Sequence, residues 1–239
     1  MKVVVLNGTE KRGVTFKIKE LFLAQFRDMA DITEFYLPKD CPTFCLGCTL
    51  CFLNGEENCK NAGYSKPIRE AIEQADLLVF TTPAYVMHTT GAMKSFLDHM
   101  AFRWMPHRPH PAMFSKRAVI ISQCVGAGAK SAAKDIKDSL AWWGISKIEV
   151  FSASLMSDIV WDNLSSKKQI GITKKINRLS NKFAKINYDK PARTKFKTKL
   201  KFYMCRMIQK SVRKKQVESL DCKYWTEQGW LANKRPCKS

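Results

Sequence analysis

The chain has 239 residues, 45% of them apolar, and a formal net charge of +20, enough for a substantial core and for one domain carrying an appendage. It opens with MKVVVLNG, a strand-like run rather than a basic segment leading to an apolar stretch and a small-residue cleavage site, so no signal peptide is expected. No window approaches the roughly 18 consecutive apolar residues of a membrane-spanning helix, and nine cysteines, four of them between Cys45 and Cys59, argue for thiol or metal chemistry in a reducing cytoplasm rather than for a disulfide framework.

Lys2 to Leu6 is a short apolar run ending in Asn7-Gly8, after which Val14, Ile18, Leu21, Phe22 and Phe26 recur at helical spacing. The pattern predicts strand, loop and helix. Ile32 to Leu37 forms a second strand, and Pro38, Pro42 and the cysteine cluster follow as a long loop without periodicity, a feature of functional or disordered segments. Ser65-Lys66-Pro67 marks a helix start, with Ile68, Ala71, Ile72 and Ala75 facing inward. Asp76 to Thr82 is a third strand, and Met93, Phe96, Leu97 and Met100 form the inner stripe of the next helix. Arg117 to Ser122 is a fourth strand; Ala132, Ile136, Leu140 and Trp143 then recur helically, and Lys147 to Leu155 is a fifth strand. Five strands separated by helices predict an α/β fold, a doubly wound parallel sheet covered on both faces.

Charge divides the chain at Thr173. From Lys174 onward there are 20 Lys and Arg against 4 Asp and Glu, and before it 21 against 17, so the two segments carry +16 and +4. This composition sets residues 1–173 apart as the sheet domain and 174–239 as a basic helical C-terminal extension.

In doubly wound sheets ligands bind beyond the carboxyl ends of the strands, where the strand order reverses. The first loop, NGTEKRGVT, supplies hydroxyls at Thr9 and Thr15, a cation at Lys11 and backbone freedom at Gly8 and Gly13. A phosphate wants such donors together with the free N–H groups of a following helix, although any strand-to-helix connection also needs a polar turn. The loop after the third strand sets Pro83, Ala84, Tyr85, Val86, Met87 and His88 at the strand exit, offering an apolar and aromatic face and backbone groups to a flat, polar-edged ring. His88 is read first as a loop histidine satisfied by backbone or water. Gly126, in SQCVGAG after the fourth strand, would let the backbone approach the other side of such a ring.

These residues together resemble the flavodoxin-like NAD(P)H-dependent FMN reductase family, and in particular its iron-sulfur flavoprotein subgroup, from Met1 to about Leu155. The family's N-G-S-P-R/K…G-x-T loop is matched by Asn7, Gly8, Thr9, Lys11, Gly13 and Thr15, with Glu10 departing from its usual proline. Its P-x-Y-x5-G-x2-K-x-F-x-D segment is matched by Pro83, Tyr85, Gly91, Lys94, Phe96 and Asp98. HRPHPAMF and the Gly126 to Gly128 exit also look like the family. The resemblance implies a flavodoxin-like five-stranded fold, an FMN phosphate in the first loop, an isoalloxazine flanked by residues 83–90, NAD(P)H as reducing substrate and a small-molecule or protein acceptor. It also implies a homodimer. An electron carrier with little NAD(P)H turnover is the alternative, and no residue stands out as a catalytic acid or base.

Cys45-x2-Cys48-x2-Cys51-x7-Cys59 is a tight array able to wrap a [4Fe-4S] cluster, and the resemblance implies the same group. A zinc site, a redox thiol pair and plain retention of a family loop remain open, and Lys60-Asn61 replaces the acidic residues often found after the last cysteine. Cys41, Cys124, Cys205, Cys222 and Cys237 are expected as unbound thiols.

Between Lys174 and Gln216 stand 16 Lys or Arg and one acid, interleaved with Phe196, Leu200, Tyr203, Met204, Met207 and Ile208 at helical spacing. The stripe is expected to pack on the domain or a second subunit with its lysines solvated; binding to anionic lipid, nucleic acid or an acidic protein is the competing use. Tyr224, Trp225 and Trp230 are candidates to fold back near the active site.

Overall fold

The computed structural model describes residues 1–156 and 159–236, leaving Cys237 and its expected free thiol outside the described residues. Five parallel strands, β1 (Lys2–Asn7), β2 (Asp31–Tyr36), β3 (Leu77–Pro83), β4 (Arg117–Cys124) and β5 (Lys147–Ser154), form one sheet in the order β2-β1-β3-β4-β5. This is the flavodoxin-like order, with its switch point between β1 and β3. Every residue of the central β3 is buried, while the edge strands β2 and β5 are only partly covered. Continuous apolar runs in the middle and mixed runs at the edges follow from burial on two faces or fewer.

Successive side chains alternate between the two faces. Val4, Leu6, Leu78, Phe80 and Ile120 meet α4 (Ala62–Gln74), α5 (Gly91–His99) and α6 (Ala129–Trp143), whose Ile136, Leu140 and Trp143 are fully buried as their spacing predicts. Val3, Val5, Val79, Val119 and Ile121 meet α1 (Val14–Leu23) and α7 (Ser166–Ala184). Short helical turns α2 (Leu37–Asp40) and α3 (Leu50–Leu53) interrupt the loop after β2. α4 begins three residues before the expected Ser65 start and carries Pro67 inside it.

Residue 173, where composition divides the chain, lies within α7. The division is one of charge and not of architecture: Ile172, Ile176 and Phe183 of α7 complete the core beside α1, and Ser180 Oγ donates to the Phe22 carbonyl at 2.5 Å. Lys and Arg hold only the outer face of α7, and a charge count cannot see which face is inward.

The rest of the extension, α8 (Phe196–Lys214) and α9 (Leu220–Glu227), builds a third cluster in which Phe202 stacks on Trp225 at 5.1 Å and meets Trp230 and Phe114 edge-on. The buried residues of α8 are Thr198, Phe202, Cys205 and Gln209. The expected packing of Phe196, Leu200, Tyr203, Met204, Met207 and Ile208 against the domain is therefore not found, since all six are exposed. Phe202 takes the inner face because its ring packs against Trp225, Trp230 and Phe114, while Tyr203 meets it only from outside, edge-on at 5.9 Å. None of the described helices is long and apolar enough to cross a membrane.

Candidate functional site

Three cavities carry sequence-predicted residues. The first lies at the carboxyl edge of the sheet, a cleft of about 120 Å³ lined by Thr9, Lys11, Gly13, Thr15, Pro83 and Tyr85 together with Val14, Gln123 and Ile159. α1 opens at Gly13, which has no side chain to cap it, so first-turn amides and the positive helix end face this space. One of them, the Val14 N–H, already donates to the Ile159 carbonyl at 3.1 Å. Gln123 Oε1 is buried without a hydrogen-bond partner, and an unpaired buried acceptor costs about 1–3 kcal/mol, a cost that a ligand N–H would offset.

The loop framing the cleft is rigidly specified. The Gly8 N–H donates to the Thr81 carbonyl and Thr90 Oγ1 donates to the Gly8 carbonyl at 2.7 Å, so a Cβ at Gly8 would stand 2.7 Å from that hydroxyl. Tyr85 and His88 exchange backbone hydrogen bonds across Val86 and Met87, both left-handed at φ 47° and 70°, as a two-residue I′ turn requires. The turn therefore carries backbone strain at two non-glycine positions, one of them β-branched. Its tip is open, with Val86 94% exposed. On the Met87 side lies a second hollow, about 390 Å³, lined by Gly126 to Ser131 and Ser152 to Ser154. Ala84 joins the frame by donating its N–H to the Gln123 carbonyl at 2.7 Å.

His88 Nδ1 stands 3.1 Å from Asp135 Oδ2 of α6, and the Thr89 N–H donates to the same oxygen at 3.0 Å. This makes His88 a brace of the loop. Asn7 points away from the cleft, donating to Glu34 and the Phe35 carbonyl and accepting from Thr81 Oγ1. Behind it lies Lys19, missed in the sequence because it sits in a helix read for its apolar residues: its buried ammonium meets Glu34 at 2.5 Å and Glu20 at 3.1 Å. Burial lowers its pKa, but the hydrogen bonds to Glu34 and Glu20 outweigh that and hold it above the ordinary lysine value. A lysine one residue after Ile18 and a Glu34 inside β2 become a signal only once the fold brings α1 against that strand.

The third cavity, about 350 Å³, is bordered by Cys45, Cys48, Cys51 and Cys59 with Phe52, Lys60, Asn61, Asp98 and His99. The loop reaches this shape through left-handed Gly47, Thr49 and Gly55. Burial raises the Cys51 thiol pKa, and the neighbouring Cys59 and Cys45 raise it further while Arg108 opposes them. Among the described residues no three His, Cys, Asp or Glu side chains converge tightly enough to grip a single metal ion, and no cysteine is in a disulfide. Four thiols around one cavity match in kind the donor set of a polynuclear cluster, whose irons lie apart and are each held by a separate thiolate.

This loop is held from behind by ion pairs. Arg108 donates to the Cys51 carbonyl, to Glu56 at 3.2 Å and to Asp221 of α9. Arg69 and Arg103 join Glu56, Glu57 and Glu73, and all three guanidiniums lie within 6 Å of the Phe102 ring, at 5.9, 4.9 and 5.7 Å. The C-terminal aromatic patch docks here: Trp225 Nε1 donates to the His107 carbonyl at 2.6 Å and the Tyr224 hydroxyl to Pro109 at 2.8 Å. Thus it folds back beside the cysteine loop. The cysteine cavity reaches the C-terminal end of α5 at Asp98 and His99, while Thr90, the N-cap of the same helix, donates to the Gly8 carbonyl of the first loop.

Residues 1–159 match the family described as NADPH-dependent FMN reductase. Over 148 residues the chain is 24% identical to an iron-sulfur flavoprotein of Archaeoglobus fulgidus, covering 61% of this chain and 64% of that one. Over 111 residues it is 29% identical to an NADPH azoreductase of Bacillus sp. strain OY1-2, covering 46% and 55%. The matched region thus spans between half and two thirds of these relatives. In fold it is similar to the FMN-dependent NADH-azoreductase of Bacillus anthracis solved in complex with FMN, with a TM-score of 0.62 at 14% identity over 77% of this chain and all of the other.

Proposed function

The chain belongs to the NADPH-dependent FMN reductase family, and from that premise we propose that it is an FMN-dependent NAD(P)H oxidoreductase that passes electrons to a small-molecule or protein acceptor. The observation that carries this reading is the sheet-edge cleft, where Gln123 Oε1 lies buried and unpaired between the first loop and Tyr85. Bound FMN would supply the hydride chemistry and the option of releasing single electrons. Thr9, Thr15 and the first-turn amides of α1 are assigned to its phosphate, with Lys11 adding charge. Pro83, Ala84, Tyr85, Val86, Met87 and His88 are assigned to one flank of the ring, Gly126 to the other, and Gln123 offers an acceptor to its N–H edge. The strained turn at Val86 and Met87 fixes that flank in advance, which limits the ordering entropy lost on binding. The open tip of the turn is a surface that a second copy of the chain would cover, in keeping with a homodimer.

We assign the four cysteines to a [4Fe-4S] cluster, with Arg108 supplying positive charge beside an anionic set of thiolates. A carrier function is the second reading, favoured by this cavity lying at the far end of α5 from the first loop and open to solvent at Cys45 and Cys48. The charge division at 173/174 is kept as a functional boundary, and residence in the cytoplasm follows from the thiol content.

Anaerobic purification followed by absorption, iron and sulfide assays, and titration with NADPH and NADH tests these assignments. Bleaching of flavin bands by a nicotinamide supports the reductase; flavin that resists both but accepts electrons from a low-potential donor supports the carrier; absence of flavin refutes both. Cys51→Ser should abolish iron binding while leaving FMN in place, and Thr15→Val should weaken FMN by about tenfold or more, the equivalent of one lost phosphate hydrogen bond.

A further inference from the structure

The α8 helix has two apolar faces. At about 100° per residue, Thr198, Phe202, Cys205 and Gln209 fall on one side, buried against α9 and Phe114. Phe196, Leu200, Tyr203, Met204 and Met207 fall on the other, where Phe196, Leu200 and Met207 are 77%, 59% and 71% exposed. A helix already packed on one face has no folding need for a second, and a contiguous exposed apolar surface marks an interaction site.

Cations border this outer face on both sides. Lys199 and Lys210 run along one edge and Lys197 and Lys201 along the other, the Lys201 ammonium lying 4.2 Å over the Trp142 ring, while Lys214 stands at the C-terminal end of the face itself. From Lys190 to Val217 there is no Asp or Glu, and among the described residues no α8 cation forms a salt bridge. Arg206 is instead spent on the carbonyls of Trp230, Leu231 and Ala232, which pins the inner side of the helix. Lys210 feels repulsion from Arg206, Arg235, Arg213 and Lys214, which lowers its pKa.

We propose that this outer face of α8 docks the protein on membranes containing anionic phospholipid, the apolar side chains entering the acyl boundary and the bordering cations meeting the headgroups. The charge pattern selects this occupant. A second copy placed symmetrically on the face would set cations against cations on both borders. Nucleic acid would leave the central aliphatic and thioether side chains against phosphates instead of removing them from water. An anionic lipid surface satisfies both the greasy centre and the basic rim, and the helix is already formed and pinned, so little ordering is needed on contact.

The test is co-sedimentation of the full chain with vesicles of phosphatidylcholine alone and of phosphatidylcholine containing about one third phosphatidylserine. Binding is expected only to the anionic vesicles, falling steeply with salt. Leu200→Ser with Met207→Ser should weaken it by about tenfold or more, and Lys197→Gln with Lys210→Gln by at least a similar factor, with unchanged circular dichroism because all four side chains are exposed or at the surface. The proposal is overturned by absence of binding, by equal binding to both vesicles, or by binding that ignores the Leu200 and Met207 pair. It is equally overturned if that pair instead dissolves a dimer, or if duplex DNA competes the protein off the vesicles while the apolar pair leaves its DNA affinity unchanged.

Discussion

The sheet-edge cleft and the cysteine cavity are built by different means. The cleft is shaped by backbone: strand register, a helix start without a cap, two left-handed residues in a turn, and glycines whose Cβ would collide with neighbouring loops. The loop around the cavity also turns through left-handed Gly47, Thr49 and Gly55, but side chains hold it in place: three arginines tie it to four carboxylates, one of them contributed by α9 more than 100 residues away, Asp221 to Arg108. A site made of backbone geometry tolerates loss of a side chain but not an added Cβ. A site made of charges has the opposite weakness.

The contrast can be broken at the cleft by adding one side chain. Gly128 sits at φ +102° and a Cβ there would stand 2.9 Å from Met87 Cα, so Gly128→Val should destabilise the fold by about 4 kcal/mol, combining backbone strain with collision, and should displace the turn at Val86 and Met87. Thermal unfolding and FMN titration read both effects. If the variant is as stable as wild type and binds FMN normally, the cleft is not backbone-specified.

At the cavity the corresponding change is a deletion. Arg108→Met removes the guanidinium shared by Glu56 and Asp221 but leaves Glu56 with Arg69 and Arg103 and Asp221 with His107, so it should cost about 2 kcal/mol, measurable by urea unfolding. A double-mutant cycle with Asp221→Asn should show strong coupling; simple additivity would mean that α9 and the cysteine loop are held independently.

The far end of β4 supplies a pH control for both regions. Burial pushes Lys116 down to about 8 from 10.5, and its ammonium donates to the Ala75 carbonyl. Below pH 8 the group is charged in both states and its burial is a cost. Between about 8 and 10.5 the unfolded chain binds more protons here than the folded chain, so stability rises with pH. Lys116→Met lacks this rise and should therefore compare better with wild type at pH 7 than at pH 10, by about 2 kcal/mol. Cys41 and Cys205, raised by burial to about 11, bend the curve the other way in both proteins and cancel in the difference.

The smallest effect belongs to His88. Its ring is largely exposed and its contact with Asp135 is a surface pair, so His88→Ala should cost under about 1 kcal/mol and leave the rate of flavin reduction by NADPH within about twofold. A large fall in that rate without loss of FMN would give this side chain a chemical role that its bracing geometry does not require.

The strand and helix alternation, the first loop and the Pro83 to His88 exit were legible in the sequence because each is local: short apolar runs, 3.6-residue stripes and turn residues at short separations. The same locality made the four cysteines visible as a group. Their surroundings were not visible, because Arg108, Asp221 and Trp225 reach the loop only through chain folding, and Lys19 and Gln123 acquire meaning only from the strands beside them. The basic extension shows the limit most clearly. Its composition pointed to a separate unit, yet α7 is part of the sheet's cover, and the stripe chosen from periodicity on α8 is the one left outside. Periodicity along a helix reports that apolar faces exist; which face is withdrawn from water depends on what lies opposite, and for α8 that was the aromatic cluster around Trp225 and Trp230.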